Sequence, residues 1–120
     1  MNAVSLIGRF VASPELKTTT SGQNFTSFTL AVPRAYVKKG EDRITDFVEC
    51  VAWRNTAEFI CKYFQKGRLA GITGAIQTRT FEDRDGKKRK VYEVLVNGIE
   101  FCDKANTETA EPEDLGDLPF

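Results

Sequence analysis

The chain has 120 residues, 41% of them hydrophobic, which suffices for one domain with a buried core but leaves little for a second. Basic and acidic side chains number 17 each, and this zero net charge by itself argues against nucleic-acid binding, since such domains are usually basic. No histidine is present, and Cys50, Cys61 and Cys102 form no CxxC pair, so the sequence predicts neither a metal site nor a disulfide framework.

Two strands are predicted in the first third of the chain. Residues 4–11 are rich in apolar side chains, and Gly8 in their middle indicates a bulge or the close approach of another backbone. The polar stretch 18–24 marks a loop. Residues 25–33 then alternate, as expected of a half-buried strand, and the side chains on its apolar parity are Phe28, Leu30 and Val32.

The middle of the chain is predicted to contain a long loop, a third strand and a helix. Residues 36–46 are charged around Gly40 and precede a strand over 47–54. Asn55 is the expected N-cap of the helix, and Gly67 its expected left-handed C-cap. The helical spacing of four apolar residues predicts a stripe that faces the core: Ala57, Ile60, Cys61 and Phe64.

The last predicted elements are two strands, over 69–81 and 90–101, joined by a charged hairpin turn that contains Asp85-Gly86. The complete order is β-β-β-α-β-β. Five strands with a helix between the third and the fourth are typical of an OB-fold, a small five-stranded Greek-key barrel. The sequence therefore predicts an all-β domain with one helix over residues 1–102.

Charge separates this domain from the end of the chain. Residues 1–102 have a net charge of +5, whereas residues 103–120 have a net charge of −5 and almost no apolar side chains before the final Asp117, Leu118, Pro119 and Phe120. Such a segment is predicted to be a flexible acidic tail. No basic leader and no apolar run of membrane-spanning length is found, so we expect a cytoplasmic protein without membrane contact.

Several aromatic residues are predicted to point away from the core. In the third strand, Cys50 and Ala52 have the parity of the core, which leaves Phe47 and Trp53 on the opposite face. Two further aromatics, Tyr36 and Phe81, lie beside cationic stretches. The nearby cations are Arg34, Lys38, Lys39, Arg79, Lys87 and Lys88, followed by Arg89 and Lys90.

Aromatic rings interleaved with cations are what a surface for single-stranded nucleic acid requires, because unpaired bases stack on rings while cations contact phosphates. Taken singly, each aromatic is more often a core residue and each cationic run a solvated loop, but four such sites together favour binding. An RNA-binding module with the same surface and a protein-binding adaptor remain alternatives. A metal-dependent nuclease built on Asp46, Glu49 and Glu58 is disfavoured, because no metal cluster and no histidine accompany them.

The chain resembles the bacterial single-stranded DNA-binding proteins over almost its whole length. The matching features, specific in their order and spacing, are Asn2-x-Val4, Leu6-x-Gly8, Pro14-Glu15, Thr29-Leu30-Ala31, Phe47, Trp53, Ala57-Glu58, the run from Tyr63 to Gly67, Gly74, the run from Gln77 to Phe81, and the acidic tail ending Leu118-Pro119-Phe120.

The resemblance implies an OB-fold, assembled as a homotetramer, that covers single-stranded DNA without reading its sequence, catalysing a reaction or using a cofactor. It implies base stacking on Tyr36, Phe47, Trp53 and Phe81. It also implies that the tip Asp117–Phe120 recruits replication, recombination and repair proteins, at the nucleoid. Two features depart from the family: Glu49 lies where a basic residue is common, and the tail lacks a long Gly/Gln-rich linker, which resembles phage or accessory members.

Overall fold

A computed structural model of the chain describes residues 1–35 and 38–103. In this part, six strands and one helix follow one another along the chain. They are β1 (Val4–Phe10), β2 (Lys17–Thr18), β3 (Asn24–Pro33), β4 (Thr45–Trp53), α1 (Arg54–Tyr63), β5 (Leu69–Glu82) and β6 (Lys88–Phe101). The helix of ten residues is too short to cross a membrane, and no longer helix lies in the described ranges.

Five of the strands close a barrel. The sheet order is β1-β5-β6-β4-β3-β2, and an additional β1–β3 pairing joins the two sides. Neighbouring strands are antiparallel except β4 and β6, which run parallel where Cys50 faces Val94. With α1 between β4 and β5, this is the topology of an OB-fold, and the predicted fold class is confirmed.

The predicted alternation in β3 and β4 produces the barrel core. Phe28 and Leu30 are buried from β3, Cys50 and Ala52 from β4, and Ala57 and Ile60 from α1. Aromatic rings fill the centre, where Phe10 stacks on Phe28 with ring centroids 4.7 Å apart and on Phe64 at 5.3 Å. Burial raises the pKa of the Cys50 thiol to about 12, with a smaller contribution from Glu49, so this cysteine acts as an apolar core residue.

Gly8 allows β1 to take part in closing the barrel. A Cβ atom at this position would lie 2.8 Å from the carbonyl oxygen of Ala31, so the predicted close approach of another backbone is confirmed. The approach occurs where β1 changes partner, because Arg9 pairs with Ala31 of β3 as well as with Leu69 of β5. A side chain at this position would push β1 away from β3.

The boundaries of the helix differ from the prediction. The helix starts at Arg54, directly after Trp53, and Asn55 lies inside its first turn and is not the cap. Arg54 has φ 56°, a left-handed conformation that turns the chain sharply from β4 into α1. Gly67 does have a positive φ of 90°, but it lies in the turn after the helix, where its N–H donates to the Phe10 carbonyl oxygen.

Candidate nucleic-acid interface

One outer sheet face collects the exposed aromatic side chains of β4 and β5. Phe47 and Trp53 project from β4 on the parity opposite to the core, as predicted, and Phe81 projects from β5 near its end. Their side chains are 66%, 36% and 43% exposed, respectively. The fourth predicted stacking residue, Tyr36, lies outside the described residues.

Trp53 packs against an aromatic neighbour that the sequence pattern did not single out. Phe25 of β3 pairs directly with Trp53 of β4, and their ring centroids lie 5.2 Å apart. This cross-strand pair fixes the indole while leaving part of it open to solvent. Phe25 has the parity of Ser27 on the face away from the core, and that parity was the signal that could have found it.

One outward residue of β4 is not exposed. Val51 is 6% exposed, although its parity is that of Phe47 and Trp53. It pairs with Ser27 on one side and with Leu95 of β6 on the other. Because β4 has strands on both sides here, its neighbours cover this short side chain, whereas the larger rings reach beyond them.

Strands β5 and β6 continue past the barrel as a two-stranded ribbon that carries Phe81. On its front, defined here as the face of Phe81, the guanidinium carbon of Arg79 lies 5.9 Å from the Phe81 ring centroid. Glu93 binds Arg79 at 3.2 Å and also accepts a hydrogen bond from Gln77 at 3.0 Å. The ring, the cation and the carboxylate therefore hold one another in place.

The turn at the end of the ribbon is ordered by Asp83. Its carboxylate accepts hydrogen bonds from the backbone N–H groups of Asp85 and Lys87 and from Arg89 at 2.8 Å. The pKa of Asp83 is held below its ordinary value, mainly by the hydrogen bond from Arg89. The ordered turn holds Lys87 and Lys88 exposed at the tip.

The predicted phosphate-binding cations fall into two groups. Arg34 makes a two-pronged contact with Asp46, at 3.0 and 3.2 Å, and Arg79 is bound by Glu93, so acidic side chains already compensate both charges. In contrast, the lysines form no ion pair within residues 1–35 and 38–103. They are Lys38, Lys39, Lys87 and Lys88.

Two carboxylates lie near the centre of the aromatic face. Glu49 of β4 accepts a hydrogen bond from the Thr29 hydroxyl at 2.9 Å. Glu93 occupies the corresponding outward position of β6, one residue before Val94, the partner of Cys50. Glu93 therefore adds a second negative charge beside the one predicted at Glu49, although Arg79 compensates the charge of Glu93. No three His, Cys, Asp or Glu side chains of the described ranges are grouped to hold a metal ion.

A second surface feature lies on the other side of the barrel. A groove of about 610 Å³ crosses β1, β5 and β6 beside the exposed side chain of Ile7. Gly71, the β5 partner of Ile7, forms part of its floor, and Cys102 lines the groove after the end of β6.

The last described residue is bound to the barrel. Asp103, predicted as the first residue of the tail, accepts three hydrogen bonds from the Arg68 guanidinium at 3.0–3.2 Å and one from the N–H of Leu69 at 3.0 Å. Asp103 is therefore in direct contact with the start of β5. The predicted tip Asp117, Leu118, Pro119 and Phe120 lies outside the described residues.

Comparison with known proteins agrees with this arrangement. Residues 1–102 match the model of the single-strand binding protein family. A single-stranded DNA-binding protein of Bacillus cereus is 43% identical over 106 residues, which cover 88% of this chain and 62% of that protein. Single-stranded DNA-binding protein 2 of Listeria monocytogenes is 41% identical over 106 residues, covering 88% and 66%.

A solved structure extends the comparison to three dimensions. The structure of the Plasmodium falciparum SSB complex with ssDNA superimposes with a TM-score of 0.76 at 26% identity, covering 86% of this chain and 96% of that one. The chain spans less than two thirds of the length of the two bacterial relatives. From the family match and the two identities above 40%, the resemblance seen in the sequence is confirmed, and the chain belongs to the single-strand binding protein family.

Proposed function

We propose that this protein binds single-stranded DNA without sequence preference and without catalysing a reaction, in replication, recombination and repair in the cytoplasm. The observation that carries the proposal is the set of exposed rings, Phe47, Trp53 and Phe81, on one face of an OB barrel beside uncompensated lysines. Each stacked base contributes about 1–3 kcal/mol, and stacking tolerates any base because every base has a flat face.

Phosphate contacts supply the remaining affinity. Lys38, Lys39, Lys87 and Lys88 neutralise phosphates directly, because they have no acidic partner in the described ranges. Arg34 and Arg79 contribute less, since each must exchange a carboxylate for a phosphate. Glu49 weakens the centre of the surface, where its charge opposes the DNA backbone.

The direct test uses Trp53, the only tryptophan of the chain. Titration with oligo-dT at low salt is expected to quench its emission, because a base stacks on the indole. Binding with unchanged emission would remove Trp53 from the interface, and absence of binding would favour a protein-binding adaptor. Competition with oligo-rU in a salt titration separates DNA from RNA as the preferred ligand.

The same proposal includes self-association and recruitment. The groove beside Ile7 supports assembly into a homo-oligomer, a homotetramer by analogy with the family, since an exposed isoleucine on a concave sheet face suits a second copy.

Residues 117–120 are proposed to recruit DNA-processing enzymes, because their acidic and apolar side chains suit a basic-rimmed apolar pocket.

A further inference from the structure

The β5–β6 ribbon has a reverse face of which the proposed interface uses only Lys88, at the tip. Tyr92 is 65% exposed on this face, although Val94 and Val96 of the same parity are buried in the core. The reason is length: both strands run beyond the barrel wall, so side chains of core parity emerge into solvent there. Next to Tyr92 lie Thr78, its direct partner on β5, and Ile76.

The charges of the reverse face favour an anionic ligand. Lys90 and Lys88 share the parity of Tyr92, and neither forms an ion pair in the part of the chain that the structure describes. One carboxylate shares this face of the ribbon strands, Glu82 opposite Lys88 at the tip. The hydroxyls of Thr78 and Thr80, which also point to this side, are further phosphate donors.

We propose that single-stranded DNA passes around the β5–β6 ribbon and stacks a second base on Tyr92, on the face opposite to Phe81. This inference rests on the proposed function and extends its path. Tyr92 and Phe81 are three residue pairs apart along the ribbon, or about 10 Å at the rise of a strand. Neighbouring stretches of one DNA strand can therefore contact the two rings from opposite sides.

The test compares Tyr92→Ala with Tyr92→Phe and with Ile76→Ala, the control that trims an exposed side chain of the same face but removes no ring. With long oligo-dT, Tyr92→Ala is expected to bind about 5- to 150-fold more weakly, while the other two variants stay near the wild type. With the shortest oligo-dT that still quenches Trp53, the difference should shrink, because that oligomer occupies only the front.

A second measurement uses the unaltered protein. Photocrosslinking to a long oligonucleotide containing 5-iododeoxyuridine is expected to label the peptide that contains Tyr92. The inference is wrong if Tyr92→Ala binds oligo-dT of every length with full affinity, or if no crosslink is found in this peptide. In either case, quenching of Trp53 would still support the proposed function. A lower native mass of Tyr92→Ala also overturns the inference, because the face would then be a contact between subunits. If the wild type does not bind oligo-dT, both this inference and the proposed function are wrong.

Discussion

Trp53 is the side chain on which the proposed interface depends most directly. Its ring packs against Phe25, and the side chain is 36% exposed. We expect Trp53→Ala to weaken oligo-dT binding by about 1–3 kcal/mol, whereas Trp53→Phe retains a ring and loses less. Thermal melting provides the control, because the barrel core does not include Trp53. Equal affinities of the alanine variant and the wild type would place the stacking elsewhere.

Asp103 links the end of β6 to the start of β5. Partial burial acts to raise the pKa of its carboxyl, but the hydrogen bonds from Arg68 and Leu69 outweigh this and hold the pKa below its ordinary value. A lowered pKa stabilises the fold at pH values above the unfolded-state pKa of about 3.9, and the contribution is lost as the pH falls through the folded-state pKa.

Replacing Asp103 with Asn is therefore expected to lower the free energy of unfolding by about 1–3 kcal/mol at neutral pH, since a charged acceptor is removed from a half-buried site. The difference between variant and wild type should shrink when urea unfolding is measured near pH 3. A difference that stays constant with pH would show that the loss is steric rather than electrostatic. Glu15→Gln, exposed in the loop before β2, is the matched control.

At the scale of elements, the ribbon tip and the loop before β4 are the cationic parts of the proposed interface. Neutralising Lys87 or Lys88 to Gln is expected to weaken binding equally for oligo-dT and oligo-dC. It should also make the dependence of log K on log salt shallower, by about 0.7 for each lost phosphate contact on a single strand. Lys66→Gln, in the turn after α1, makes the same charge change away from both loops. A variant that alters base preference at an unchanged salt slope would contradict the phosphate role.

The elements were predictable from the sequence where side chains alternate between two distinct environments. Phe28 and Leu30 in β3, and Cys50 and Ala52 in β4, mark the core side clearly, and the outward rings of Phe47 and Trp53 follow from them. The base-stacking roles of these rings were inferred from the resemblance to the single-stranded DNA-binding proteins. Strand β2 was not predicted, because its two residues, Lys17 and Thr18, are too few to show an alternating pattern.

Other features could not be deduced because they depend on tertiary structure. Parity alone assigns Tyr92 to the core, and only the distance that β6 extends past the barrel exposes it. The helix start at Arg54 could not be predicted, because Arg54 adopts a left-handed conformation that arginine rarely takes. By residue preference, Asn55 is the better candidate for the N-cap. The compensation of Arg34 by Asp46 requires the pairing of β3 with β4, which places the two residues together.

At the scale of the whole molecule, the groove beside Ile7 is the surface proposed for self-association. Ile7→Asp is expected to lower the native mass, because a charge on the groove face would be buried against a second copy without a partner. Ile44→Asp changes a similarly exposed isoleucine in the segment before β4 and should leave the mass unchanged. An oligomer that survives Ile7→Asp would place the subunit contact on another face.

The acidic segment is a second property of the whole chain. Removing residues 104–120 takes away a net charge of −4 and should tighten oligo-dT binding at low salt, with the difference disappearing at high salt as screening increases. The cut follows Asp103, because truncation before that residue would also destabilise the barrel. Deleting residues 118–120 alone should leave affinity unchanged but abolish capture of DNA-processing enzymes. Retention of every partner by this deletion would remove the recruiting role.

The two seams that close the barrel determine how the protein acquires its fold. The β1–β3 pairing consists of two residue pairs, and the parallel β4–β6 pairing joins Cys50 to Val94 and Val51 to Leu95. Such distant residues meet only after much chain entropy has been lost, so we expect folding on the order of milliseconds to seconds, as in other small β-barrels. During synthesis, β3 and β4 can form a hairpin early. Their core face, however, must wait for β6 to leave the ribosome, and until then Cys50 and the rings around it lack their cover.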